Sequence, residues 1–324
     1  MSVFSSLRDT TGPSVAVELA ATRVSGASLE RRAGRPAIAA HAVELLPEGA
    51  LVSSLTAANI VDRPAVAGAL GRVLDRLGWP RRIALVVPDP VAKVSLVKFE
   101  QVPPRAQDLD QLVRWQVRKT APFAIEDAQV SYVAGHRTAD GQEFVVSLAR
   151  RAVIEEYEQL AAAQGAHAGI VDLATFNVVN AVLAGSMLPT ESAADWLLVN
   201  VAPDYASLAI LRGPHLIFFR NRATETDGTL ADLVHQTAMY YEDRLSGAGF
   251  SRVILAGAAG AGARHAGDVD QVRRSLEERL ATAVDTVDPR EAVTLTDRIS
   301  AAPAFLDALA PLVGILLRGQ EQAA

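Results

Sequence analysis

The chain has 324 residues, 50% hydrophobic and 21% charged, with a formal net charge of -6. That length exceeds what one hydrophobic core normally serves, which predicts two lobes, and the acidic balance excludes a general nucleic-acid binder, whose phosphate contacts need a concentrated basic surface. With no cysteine, disulfides, zinc–thiolate centres and cysteine nucleophiles are excluded.

The first residues carry Arg8 and Asp9 and no apolar run, so no signal peptide is expected. Ser14–Leu19, Val24–Arg31 and Pro36–Leu45 read as strands from their imperfect alternation. Val66, Leu70, Val73, Leu74 and Leu77 share one face of a helix predicted from Arg63 to Leu77, with Gly78 beyond its end. Ile83–Val87 is a continuous apolar run, the mark of a buried strand. Basic pairs stand at Arg31-Arg32, Arg81-Arg82 and Arg150-Arg151. They read as solvated loop and helix ends, with a membrane-surface or partner patch as the alternative.

After Pro88 the pattern changes. Val91–Phe99 reads as a strand. Leu109, Leu112, Val113 and Val117 recur at helix spacing, and Pro122 stops that helix. A hairpin follows over Ala128–Gly135 and Glu143–Ala149, turning at Ala139-Asp140-Gly141, then an amphipathic helix over Arg151–Gln164. Strand Gly169–Leu173 and helix Phe176–Leu183 lead to a linker over Pro189–Asp195. The second half repeats the opening order in shortened form. Strands Trp196–Val201, Ser207–Leu211 and Leu216–Arg220 precede helix Leu230–Leu245, strand Arg252–Ala256, helix Val269–Leu280 and strand Ala283–Val287. The last helix is predicted over Pro303–Leu317; Pro303, Asp307 and Pro311 interrupt it too much for a membrane span.

The order Arg114-Trp115-Gln116, then Ala121-Pro122-Phe123, then Phe144–Arg151, Glu155-Glu156-Tyr157 and Val171–Phe176 resembles the PilM family of type IV pilus assembly. The likeness is strongest over 109–182, good over Ala310–Arg318 and weakest at the two phosphate hairpins. It implies an α/β fold of the actin-like, ribonuclease-H type. The first lobe would span 1–190, with a small α+β domain inserted at about 89–164. A second lobe with a reduced capping subdomain would span 191–300, and a terminal helix over 301–324 would return to the first lobe.

Actin-like ATPases hold Mg-ATP between the lobes on glycine-rich turns, where backbone N–H groups approach the phosphates and carboxylates hold the hydrated metal. In PilM-like proteins the first hairpin resembles Gly-Ile-Asp-Ile-Gly-Ser-Ser-Ser-Val-Lys, and here it reads Ala16–Ser25. Glu18 stands for the aspartate, Ala20 for the turn glycine and Ser25 for the lysine, with Thr22 in the turn. The second resembles Val-Asp-Ile-Gly-Ala-Ser-Thr-Thr, and here Asn200, Ala202, Pro203 and Asp204 fall in it. Asn200 lacks the charge, Ala202 adds a methyl group, and Pro203 removes a donor. The adenosine loop is kept best, as Ile254–Gly260 with Gly257 and Gly260. If ATP and Mg²⁺ are bound, these residues are the expected contacts; together the departures predict a pseudo-ATPase.

The resemblance further implies a cytoplasmic adaptor, peripheral to the inner membrane. It would bind the N-terminal peptide of a PilN-like bitopic membrane protein and contact other inner-membrane pilus components. The peptide groove would lie between the first lobe and the insertion, with Leu112, Trp115, Phe123 and Tyr157 as candidate lining or as the insertion's own core. Trp115, off the apolar stripe of its helix, is expected to be exposed. Homo-oligomerisation stays open, as does service in a related secretion machine. The competing expectation is a working ATPase with Glu18 and Asp204 as its carboxylates. Asp172 reads either as a water-polarising group between the lobes or as a helix cap. Scattered histidines predict no metal site, and no catalytic constellation is found.

Overall fold

The computed structural model describes residues 12–185, 194–224, 228–260, 269–296 and 302–321. Strands β1 (Val15–Ala20), β2 (Arg23–Arg32) and β3 (Arg35–Leu45) form an antiparallel meander. Helix α1 (Arg63–Arg76) follows, its first turn capped by Asp62, whose side chain accepts the Ala65 N–H at 3.0 Å. Strand β4 (Arg82–Val87) then runs parallel to β1, and its apolar run is buried on both faces, as a central parallel strand requires.

The chain next leaves this sheet. Strand β5 (Ala92–Phe99), helix α2 (Ala106–Arg118), strands β6 (Ala128–Thr138) and β7 (Gly141–Arg150) and helix α3 (Arg151–Ala163) follow. The three strands make a separate sheet of order β5-β7-β6, which leaves β6 on an edge. Val113 and Val117 of α2 pack on Val130, Phe144, Val146 and Leu148 of this sheet. Strand β8 (His167–Leu173) rejoins the first sheet beside β4, and α4 (Ala174–Ala184) leaves it.

The second sheet is built from β9 (Asp195–Val201), β10 (Tyr205–Arg212) and β11 (His215–Ala223), then α5 (Leu230–Leu245), β12 (Arg252–Ala256), α6 (Val269–Leu280) and β13 (Val284–Thr286). A two-residue strand, β14 (Thr294–Leu295), pairs with β3 and returns the chain to the first sheet, where α7 (Pro303–Glu321) packs. The sheets read β14-β3-β2-β1-β4-β8 and β11-β10-β9-β12-β13. Each has an antiparallel meander followed by two parallel strands, so the repeat read in element order is a repeat of topology.

Most predicted elements fall within a few residues of their observed bounds, and α5 and α6 match them. Helix α2 ends at Arg118, before Pro122 can act, and Lys119–Ala121 form a turn on the Val117 carbonyl. Strand β14 has no counterpart among the predicted elements, since two residues carry no period. The linker predicted at Pro189–Asp195 falls largely outside the described residues, and Asp195 opens β9. No described helix is long and apolar enough to cross a membrane.

Candidate functional site

The two lobes meet where the β1–β2 hairpin, the β9–β10 hairpin and the turn after β12 converge on the first half of α7. Glu18 sits opposite Ser25 in the β1–β2 register. Its carboxylate accepts from Ser25 Oγ at 3.0 Å and from Arg23 Nη2 at 3.0 Å, and Glu18 is only 6% exposed. The acid that would face a metal is therefore bonded within its own hairpin. Ala20 borders the cleft and Thr22 faces solvent, its carbonyl accepting the Leu46 N–H.

In the second hairpin the Ala202 N–H donates to the Tyr205 carbonyl at 2.8 Å, closing a tight turn across Pro203 and Asp204. The N–H that a phosphate would seek is thus spent inside the turn, and Pro203 has none. Asp204 reaches across to the first lobe, where Ser53 Oγ donates to it at 2.6 Å; burial raises its pKa, with Ser53 opposing. Asn200 donates from Nδ2 to Thr175 Oγ at 2.8 Å.

The third turn holds the most telling substitution of partner. Asp307, on α7, accepts the Ala259 N–H at 2.8 Å and a bond from the Gly257 backbone. A carboxylate of the chain thus sits on backbone donors of the kind that a nucleotide phosphate uses. Burial raises its pKa against those bonds and the Arg23 charge. Gly257 has φ +77°, and a Cβ there would lie 2.1 Å from the Val201 carbonyl oxygen, so close packing of β12 on β9 already demands glycine. Gly260 lies against Arg23, whose Nη1 would be 3.1 Å from a Cβ.

Behind these turns lies a buried polar network. Asp89 is fully buried and accepts from the Thr175 N–H at 3.0 Å, from Thr175 Oγ and from Ser207 Oγ at 2.6 Å. Asn200 and Asn221 donate in turn to the two hydroxyls, so each donor points toward the one carboxylate. Burial pushes the Asp89 pKa up to about 6. The remaining cavity is about 40 Å³, little more than a water, whereas small-ligand pockets run to roughly 300–1,000 Å³. In this closed arrangement the residues present are a poor fit for Mg-ATP: Glu18 is paired with Arg23, Asp307 occupies the backbone donors after β12, and Pro203 supplies no N–H. Among the described residues no cluster of three or more acidic or histidine side chains is arranged to hold a metal.

A larger opening lies elsewhere. A groove of about 580 Å³ runs between edge strand β6, helix α4, the β10–β11 turn and the end of α7. Phe176, Val179 and Leu183 of α4 and Leu216 supply its apolar wall; Ser131, Ser147, Asn180 and the Asp172–Arg318 ion pair supply polar groups. His136 of β6 packs on His215 at the start of β11 with centroids 5.3 Å apart, which brings the insertion against the second lobe.

A family model for the type IV pilus assembly protein PilM matches residues 16–244. The chain belongs to the PilM family. A chain of a PilM-PilN type IV pilus biogenesis complex is similar at TM-score 0.80 and 16% identity, covering 96% of this chain and 99% of that one. The cytoplasmic domain of EpsL, an inner membrane component of the type II secretion system of Vibrio cholerae, matches at TM-score 0.50 and 10% identity, over 96% and 95% of the two chains. An actin-like ATPase-fold protein of Bacteroides thetaiotaomicron matches at TM-score 0.50 and 8% identity, over 89% and 94%. At such identities the likeness establishes the two-lobed actin-like fold.

Within this PilM fold the residues singled out for a nucleotide do converge, since Glu18, Ala20, Asn200, Ala202, Asp204, Gly257 and Gly260 all line the closed cleft and only Thr22 lies outside it. Those singled out for a partner do not line the groove. Tyr157 is fully buried in the first-lobe core, its hydroxyl bonded to Asn59 at 3.1 Å, which removes it as a contact residue. Phe123 packs against the insertion core, Leu112 is half-buried on α2, and Trp115 is 58% exposed with Lys119 over its ring. The groove lies along strand β6 and the Val145 and Ser147 positions of β7, whereas α2 packs on the Phe144, Val146 and Leu148 positions. A period-two reading of Phe144–Ala149 would have found both apolar faces. Asp172 accepts the adjacent Leu173 N–H, pairs with Arg318 and has a side-chain hydrogen bond with Asn177 of α4, with no backbone N–H of α4 capped by it.

Proposed function

We propose that this chain is a non-catalytic scaffold of type IV pilus assembly that receives an extended segment of a PilN-like membrane protein in the β6–α4 groove. Family membership supports the pilus role, and the presence of PilN in the complex of the similar PilM chain supports the class of ligand. The observation that carries the reading is the contrast of openings: about 40 Å³ at the nucleotide position against about 580 Å³ beside an edge strand. An edge strand offers unpaired backbone groups to an extended peptide, and alternate side chains can then enter the apolar wall. In this reading the chain is cytoplasmic and reaches the inner membrane through its partner. The insertion acts as one jaw of the groove, and no ATP turnover is needed.

Calorimetric titration tests this with a synthetic N-terminal peptide of the PilN-like protein and, separately, with Mg-ATP. Peptide binding that falls at least tenfold in Ser131→Trp, with no heat from Mg-ATP, is the expected result. Ser131 is exposed at the groove, so the variant should fold. Peptide affinity unchanged by Ser131→Trp would overturn the groove assignment, and ATP hydrolysis by the pure chain would overturn the scaffold reading.

A further inference from the structure

The end of the first sheet opposite the cleft gathers arginines that the sequence leaves scattered. In the β1–β2 register Val15 faces Ser28, and in the β1–β4 register Ala16 faces Ala84. The β2–β3 turn, with Arg31, Arg32 and Arg35, therefore stands at the same end as Arg81 and Arg82 at the start of β4. Strands lie about 4.8 Å apart, so this rim is roughly 10–15 Å wide, near one Debye length. All five arginines are exposed, and His167 joins them opposite Arg82. Glu30 pairs with Arg32, and Asp75 accepts from the neutral Trp79 indole and keeps its charge, so the five arginines outnumber the two carboxylates beside them and the rim is basic in a chain whose total charge is -6.

Trp79 makes this more than a charge count. It follows Gly78 (φ +79°), itself has φ +53°, and stays 51% exposed. A bulky residue in the left-handed region is strained, and burial does not compensate here. Its Nε1 donates to Asp75 at 2.9 Å, which ties the ring to the last turn of α1, two residues before Arg81. A held-out indole beside guanidinium groups is the composition of a membrane-interface anchor: the ring enters the headgroup layer and the arginines bind lipid phosphates.

We propose that this rim, centred on Trp79 with Arg35, Arg81 and Arg82, docks on an anionic lipid surface. The contact would orient the chain at the membrane independently of any peptide in the groove. Its overall negative charge would turn the remaining faces away from the same lipids.

The test is co-sedimentation of the full chain with phosphatidylglycerol-rich vesicles, phosphatidylcholine vesicles and, as a soluble competitor, inorganic polyphosphate. Expected are binding to the anionic vesicles alone and a blue shift of the tryptophan emission in a Trp115→Phe background, where the other remaining tryptophan, Trp196, is buried and should not respond. The combined Arg35→Glu, Arg81→Glu and Arg82→Glu variant should lose at least tenfold in binding. Trp79→Gly, which suits the positive φ, should keep or raise Tm while weakening vesicle binding several-fold; a merely structural tryptophan would lower Tm and leave vesicle binding alone. Equal binding to neutral vesicles, indifference to charge reversal, or no vesicle binding would each overturn the proposal. So would polyphosphate or an acidic protein competing as strongly for the rim in place of lipid. Ser131→Trp should bind vesicles normally, so failure of the groove reading and failure of this one are distinguishable.

Discussion

Asp89 is where the closed interlobe contact should appear in a titration. Its pKa is raised from 3.8 to about 6 by burial. The folded state therefore holds a proton that the unfolded state has released, and stability falls as pH rises from about 4 through about 6. A rise of that size corresponds to on the order of 3 kcal/mol across the window. His41 acts oppositely: burial and Arg23 lower its pKa to about 4, so its contribution is present at neutral pH and lost on acidification. The wild-type profile mixes the two, but the difference between wild type and Asp89→Asn isolates Asp89. That difference should slope across pH 4–6 and be flat above about pH 7, measured as Tm against pH. A profile of Asp89→Asn parallel to wild type would refute the assignment. Little of this is legible in the sequence. The hairpin places Glu18 opposite Ser25 within seven residues, but Asp89 meets Ser207 across 118 positions and Asp204 meets Ser53 across 151. Likeness to a family pattern identifies the residues that line the cleft, yet it carries no sign that Asp307 takes the backbone donors.

Helices and strands are legible to the extent that they carry a period. The amphipathic stripes of α1, α5 and α6 and the apolar run of β4 declare themselves, while β14 is two residues long and exists only because β3 offers a free edge. The insertion's β7 is apolar on both faces; of the candidate partner residues, Leu112 and Trp115 lie on α2 and Phe123 packs against the sheet face under it, away from the β6–α4 groove, while Tyr157 lies in the first-lobe core. The crossing of α7 on α4 is likewise invisible in pattern. Gly314 lies mid-helix, where alanine would ordinarily stabilise by about 1 kcal/mol. Here a Cβ would lie 1.7 Å from the Asn177 carbonyl oxygen and 3.1 Å from the Ala181 nitrogen, both backbone atoms that cannot rotate away. Gly314→Ala should therefore destabilise, by roughly 1–3 kcal/mol in the manner of an overpacked core, measured by urea unfolding. A gain in stability would show that the helices separate at little cost.

At the scale of the whole molecule, the lobes are joined by groups that do not depend on nucleotide. Ser53 and Asp204 bridge the first lobe to the second hairpin, Ser207 reaches Asp89, and Asp307 holds the turn after β12. In an ATP-dependent member of such a fold, ligand binding would supply the contacts that draw the lobes together, and the lobe equilibrium would follow its differential affinity. Here the chain's own side chains supply them, so the closed arrangement should be the resting state, and Mg-ATP should leave it unchanged. Hydrogen exchange reads this directly. Amides lining the cleft, among them Ala202 and Ala259, should exchange at the same rate with and without Mg-ATP. Ser53→Ala combined with Asp307→Ala removes two of these bridges and leaves the Ala259 N–H unpaired, a loss on the order of 1–3 kcal/mol. That variant should speed exchange at Ala202 and Ala259 at least tenfold while Leu148, in the insertion core, stays protected. Because the insertion sheet also packs on the interlobe core through Val145, opening the lobes should loosen the β6–α4 groove. Nucleotide-dependent protection of the wild-type cleft would show instead that ATP still governs the lobes.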